Sequence, residues 1–214
     1  MMTEAVKTTR KTQTMVMTAA FAALIILLAF TPGLGYIPLG FINATTVHIP
    51  VILGAVMLGP KCGAFLGAVF GLTSLINNSF INPNLTSFVF SPFVSGGGIK
   101  SIIICFVPRI LVGVAAYFVY AGIKRLLKER KGSVSAALVI GGIAGSLTNT
   151  LLVMNGIFVL FGDQWAAAKG IGDAIYMSIL GVIVGSGIPE AVVAGIITLA
   201  AGQALLALRK SLKF

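Results

Sequence analysis

Lys124-Arg125-Leu126-Leu127-Lys128-Glu129-Arg130-Lys131 is the densest run of charge in the sequence. On either side lie apolar stretches, Ser101–Ile123 and Val134–Phe158, each long enough to cross the roughly 30 Å hydrocarbon core of a bilayer as a helix. A charged run joining two such stretches reads as a loop at a membrane surface. The pattern continues outward in both directions. Lys7, Arg10 and Lys11 precede an apolar run ending at Phe30, Lys61 follows one ending at Leu58, and Arg209, Lys210 and Lys213 follow one ending at Leu208. The connections at the alternate ends carry asparagine in place of lysine and arginine.

Hydropathy and chain breakers then predict six membrane-crossing helices: Thr12–Phe30, Ala44–Leu58, Lys61–Ile76, Ser101–Ile123, Val134–Phe158 and Ile188–Leu208. The expected fold is all-α, an integral membrane protein with lid-like extracellular loops, residues 1–214 forming a single transmembrane domain. The second and third helices are short, meet at Gly59-Pro60, and need shelter from longer neighbours. A further apolar piece, Asp173–Ser186, is stopped by Gly185-Ser186-Gly187 before Pro189 and is expected to pack on the bundle as a helical or interfacial segment. An even count puts both basic termini on one side, which the positive-inside rule makes the cytoplasm, so the chain is expected to be multi-pass in the cell membrane. Met15–Phe30 superficially resembles a signal peptide, but no small-residue cleavage site follows, so it reads as a retained first helix.

Composition agrees. The chain is 57% hydrophobic, only 9% charged and has a mean hydropathy of +1.05, against about 25% charged residues in soluble proteins. The net charge of +10 does not indicate nucleic acid, because the cations cap spans instead of forming one solvated face with base-reading groups among them. Cys62 beside Lys61 and Cys105 within a span are not placed for a disulfide. No metal or redox motif is present, and no cofactor is expected. Gly96-Gly97-Gly98-Ile99-Lys100-Ser101 only approaches a P-loop and stands on the wrong side for ATP. There is no carboxylate series to relay protons and no nucleophile beside a base, so the sequence does not read as an enzyme. It supplies recognition without a motor.

The polar residues indicate where recognition occurs. All seven asparagines (Asn43, Asn77, Asn78, Asn82, Asn84, Asn149 and Asn155) fall in the outer half, as do His48, the sole histidine, and Glu190. Amides both donate and accept hydrogen bonds and suit a polar organic solute. The outer connections Thr31–Asn43 and Asn77–Lys100 are long, nearly uncharged, and contain Tyr36, Ile37, Phe41, Phe88, Phe90 and Phe93, which suit lids better than solvated linkers. Arg109, after Pro108 in the fourth span, costs at least about 2.5 kcal/mol in hydrocarbon and must have a partner or a watery cavity. It either binds a substrate carboxylate bidentately or pairs with Glu190 and the carbonyls that Pro108 leaves free. The expected pocket comprises the first outer loop with Asn43, His48, Asn77, Asn78, Arg109, Asn149 and Glu190; His48 and Glu190 suit structural roles equally well. Small residues four apart, at Ala19 and Ala23, Gly63 and Gly67, Gly67 and Gly71, Gly141 and Gly145, and Gly181 and Gly185, let helices approach closely. For Ala19 and Ala23 the partner is internal or external.

Several stretches resemble a known family. Asn43-Ala44-Thr45-Thr46-Val47-His48-Ile49-Pro50, Leu58-Gly59-Pro60-Lys61, Phe70-Gly71-Leu72-Thr73-Ser74, Val107-Pro108-Arg109-Ile110-Leu111-Val112-Gly113 and Gly145-Ser146-Leu147-Thr148-Asn149-Thr150 are similar to those of pantothenate-type S components of energy-coupling factor (ECF) vitamin transporters. The similarity runs from about Met15 to Leu208, with the Ala19-x-x-x-Ala23 pattern on helix one. The resemblance implies a non-enzymatic vitamin-binding subunit, most readily for pantothenate or else another small water-soluble vitamin or precursor. It further implies docking through Ala19 and Ala23 onto a transmembrane coupling protein driven by two cytoplasmic ATPases. A stand-alone secondary transporter would instead need an ion-coupling carboxylate pair or an inverted repeat, and an intramembrane enzyme a facing catalytic pair. The sequence displays neither.

Overall fold

A computed structural model describes residues 2–38, 43–128, 130 and 132–211; the side chains of residues 2–10, 36–38, 43–44, 173 and 209–211 fall outside that description. The chain is almost wholly helical: α1 (Met2–Phe30), α2 (His48–Leu58), α3 (Pro60–Ile76), α4 (Ile99–Leu126), α5 (Ser133–Lys169), α6 (Ile175–Val182) and α7 (Ile188–Ser211). Among the described residues five helical stretches are long and apolar enough to cross a membrane, at Lys11–Phe30, Pro60–Ile81, Ile99–Leu126, Ser133–Lys169 and Ile175–Leu208. The sixth helix, α2, is apolar but has only 11 residues, about 16 Å at 1.5 Å per residue.

That length explains its position. A helix covering half the hydrocarbon core leaves backbone and side chains that only neighbouring helices can cover, and every residue from His48 to Met57 is buried. Its Val51, Ile52 and Leu53 form one core with Phe21 and Ile25 of α1, Leu66 and Phe70 of α3, Val112 and Ala116 of α4, and Ala194 of α7. Gly59, at φ +100°, makes the reversal into α3, where Pro60 sits at the start of the helix and its missing N–H costs nothing.

The structure corrects four expectations. The third span is not short: after Ile76 the chain continues through a wide π-turn, Asn77–Ile81, giving a 22-residue apolar stretch. Asp173–Ser186 is not a separate piece, because Gly185-Ser186-Gly187 widens into a π-turn (Ile183–Gly187) that joins α6 to α7; Ile188 still donates to the Ile183 carbonyl. The second span does not begin at Ala44. Residues Asn43–Thr45 form a short strand, β2, paired antiparallel with β1 (Tyr36–Pro38), Tyr36 opposite Thr45. A Cβ added at Gly181 or Gly185 would meet nothing within 4 Å among the described residues, so no helix closes on that pair there, whereas Gly63, Gly67 and Gly71 all abut α4. A Cβ at Gly67 would overlap the Arg109 carbonyl and the Ile110 Cα, so α3 and α4 meet backbone to backbone where Arg109 is held.

The connection 77–100 is a folded lid. Ser101 donates to the Phe88 carbonyl (2.6 Å), Cys105 to that of Phe90 (3.0 Å), and Ser79 to Ser91 (2.7 Å). Phe88 and Val89 enter a second core with Ile104, Ile157, Phe161 and Trp165. Phe93 instead stacks near Phe80 at 5.7 Å and remains exposed.

Candidate binding cavity

At the asparagine-rich end of the bundle α1, β2, the π-turns, α4, α5 and α7 surround a cavity of about 790 Å³, within the range of small-molecule sites. Of the residues predicted from sequence, Asn77, Asn78, Arg109, Asn149 and Glu190 line it. His48 does not. It is buried in the first turn of α2, only 1% exposed, with neither ring nitrogen hydrogen-bonded among the described residues. The Asn43 side chain and residues 39–42 of the first loop, Phe41 included, lie outside the described residues.

Arg109 is fixed from three directions. Pro108 has no N–H to give the Ile104 carbonyl four residues back, and the Arg109 Nη1 donates to that carbonyl instead. Phe70 and Phe90 flank the guanidinium, with ring centroids 5.5 and 5.1 Å from its carbon, a cation–π arrangement that orients it. Arg109 is only 5% exposed, yet it lines the cavity, so it presents an oriented cation to whatever enters. A guanidinium in such a place recognises a carboxylate through two parallel N–H···O bonds.

Glu190 stands after Pro189, just past the π-turn that joins α6 to α7. It accepts a hydrogen bond from the backbone N–H of Thr45 (3.1 Å), tying the β-hairpin to α7 across the cavity rim. The amides are arranged by short local bonds. Asn82 donates to the Asn77 Oδ1 (2.8 Å), Asn78 donates to the Ser74 carbonyl (2.9 Å), and Asn84 Oδ1 accepts from the N–H and hydroxyl of Thr86 (2.9 and 2.8 Å). The Asn149 Oδ1 is buried and has no partner within the described residues, leaving an acceptor that a bound hydroxyl or amide could satisfy. Asn155 bonds back to Leu151 and faces away from the cavity lining.

Sequence reasoning missed Trp165 and Lys169. Both line the cavity, and the Lys169 Nζ lies 5.4 Å from the Trp165 ring centroid. The fifth span was expected to end at Phe158, but α5 continues past a local distortion at Phe161 (φ −135°, ψ 15°) to Lys169, where Gly170 closes it in the left-handed conformation. The signal was present in Ala166-Ala167-Ala168, strong helix formers, followed by a terminal glycine. The asparagine-rich end is thus not free of lysine: Lys100 also stands there, donating to the Leu160 carbonyl (3.3 Å). Ser74, Thr150 and Ser186 complete a lining that can hydrogen-bond a ligand along its length.

Residues 13–201 match the family described as "ECF transporter, substrate-specific component". The Pantothenic acid transporter PanT of Lactococcus lactis subsp. cremoris (strain MG1363) is 36% identical over 177 residues, 79% of this chain and 81% of that protein. The Pantothenate transporter PanT of Leuconostoc mesenteroides subsp. mesenteroides is 33% identical over 150 residues, 67% of each chain. A multi-helix apolar bundle with a polar cavity at one end, matched over nearly its whole length, places this chain in the family of substrate-specific components of ECF transporters.

Proposed function

We propose that this chain captures pantothenate from outside the cell for import by an ECF module. The observation that carries the reading is the cavity itself: one buried, oriented guanidinium among asparagine amides and hydroxyls. Pantothenate has one carboxylate, two hydroxyls and an amide, so each of its polar groups has a complementary partner type in that lining. In this reading Arg109 receives the carboxylate, and Asn77, Asn78 and Asn149 receive the hydroxyls and amide. Glu190 holds the lid through Thr45. The names borne by the relatives from Lactococcus and Leuconostoc support the same ligand.

The energy comes from elsewhere. The chain presents no nucleotide-binding motif, so ATP hydrolysis belongs to two cytoplasmic ATPases acting through a transmembrane coupling protein. Ala19 and Ala23 are both exposed on α1, and a small-residue face of this kind suits the close approach of that partner's helix. The basic ends of the helices face the cytoplasm with both termini, and the cavity opens outward. Native mass spectrometry of the detergent-solubilised protein tests the ligand: a co-purifying mass equal to pantothenate is expected, and a different vitamin in its place would refute the assignment.

A further inference from the structure

Two cations, Arg109 and Lys169, and one protein carboxylate, Glu190, line the cavity, and pantothenate brings a single carboxylate for which the two cations are alternative sites. Their separation can be worked out from the packing of α4 against α5. The Ile104 side chain meets α5 at Gly156, and Ala116 meets it at Gly145. The Arg109 guanidinium is drawn toward the Ile104 carbonyl, so it stands no further along α5 than about the level of Gly156. The Lys169 ammonium is held against Trp165, nine residues beyond and past the distortion at Phe161, at most about 14 Å further along α5. One carboxylate cannot occupy both.

The two sites also differ in kind. Arg109 is buried, fixed by a carbonyl and two aromatic rings, and can give a strong, desolvated contact. Lys169 is exposed at the last turn of α5, where it meets bulk water. An exposed lysine adds little to a static complex, but a charge at the mouth of a low-dielectric cleft raises the encounter rate of an oppositely charged solute. Beneath it Trp165 is 7% exposed, lines the same cavity, and has its indole N–H without a hydrogen-bond partner among the described residues. A cation and an indole donor together can hold a carboxylate briefly.

Resting on the pantothenate reading, we propose that Lys169 and Trp165 form a capture station at the cavity mouth, where the ligand's carboxylate is first held before it passes inward to Arg109. Lys169 therefore sets the association rate and not the dissociation rate. The ligand spans about nine bonds end to end, roughly 11 Å at the ~3.6 Å per three bonds of an extended chain. With its carboxylate on Arg109 the acid end has left the mouth; the hydroxyl end reaches back toward it, where a neutral contact with an exposed, hydrated lysine adds little to the final complex.

Stopped-flow binding of pantothenate to the purified full-length chain, at low and at high ionic strength, tests this. Lys169→Gln should lower the association rate about fivefold at low salt, the difference vanishing near 1 M salt where the Debye length falls to about 3 Å; dissociation should be unchanged. Lys169→Arg should restore the wild-type rate. Lys100→Gln, which removes a charge at the same end but outside the cavity lining, should slow association less than Lys169→Gln does and leave dissociation as it is. If Lys169→Gln binds at the wild-type rate at every ionic strength, Lys169 only terminates α5 and the proposal fails. If dissociation accelerates instead, Lys169 touches the final complex and the proposal also fails. Absence of pantothenate binding by the wild-type protein would remove the ligand assignment itself, a result distinct from either.

Discussion

Placing one methyl group at Gly67 and at Gly181 should have opposite effects. Both glycines are helical, so each Gly→Ala change gains about 1 kcal/mol of helix propensity. At Gly181 an added Cβ meets nothing within 4 Å, and that gain should appear as a small stabilisation. At Gly67 the same atom would overlap the carbonyl group of Arg109 and the Cα of Ile110. These are backbone atoms of a packed helix and cannot rotate aside. Overpacking of this kind costs about 1–3 kcal/mol, and with backbone on the opposing side the upper end applies, leaving a net loss of about 2 kcal/mol after the propensity gain. For a chain of this size that corresponds to a fall of about 4–8 °C in melting temperature. Because the displaced atoms belong to Arg109, the cavity also shifts; sites need their groups held within about 0.5 Å, so affinity for pantothenate should fall at least tenfold. Thermal unfolding in detergent, followed with and without pantothenate, reads both quantities. A Gly67→Ala protein as stable and as tight-binding as wild type would refute the backbone-to-backbone packing of α3 on α4.

Ala19→Trp or Ala23→Trp should abolish pantothenate uptake by cells carrying the whole transporter, while the isolated protein binds as before; lost binding would assign these alanines to the protein's own fold. Single cysteines introduced into a variant lacking Cys62 and Cys105 report sidedness: Asn84→Cys should react with an impermeant maleimide added to intact cells, and Arg130→Cys should react only after permeabilisation. The reverse labelling would invert the orientation.

The spans were legible because a bilayer imposes one coarse rule, that a crossing helix needs apolar length with charge kept to its ends. Residues such as Lys61, Lys124 and Arg125 carried that information directly. What the sequence did not display was local. The π-turns at Asn77–Ile81 and Ile183–Gly187 hide in stretches whose glycines and asparagines also signal termination. The Asn43–Thr45 strand is too short to show alternation. The cavity was half legible. Asn77, Asn78, Arg109, Asn149 and Glu190 stood out because polar groups at that depth need partners. His48 stood out for the same reason, but α2 is apolar and buried on every side, so nothing in its sequence states which way a given residue faces. Trp165 and Lys169 were missed because hydropathy falls before α5 ends.

Isothermal titration of the purified protein with pantothenate and with its alcohol analogue, repeated on Arg109→Met, decides whether Arg109 receives the ligand's carboxylate. A charge-assisted hydrogen bond contributes about 1.5–3 kcal/mol, so wild type should prefer the acid to the alcohol by about 10- to 150-fold. Arg109→Met should bind both weakly and without preference. Equal affinity of the wild-type protein for acid and alcohol would take Arg109 out of carboxylate recognition and leave it a structural group.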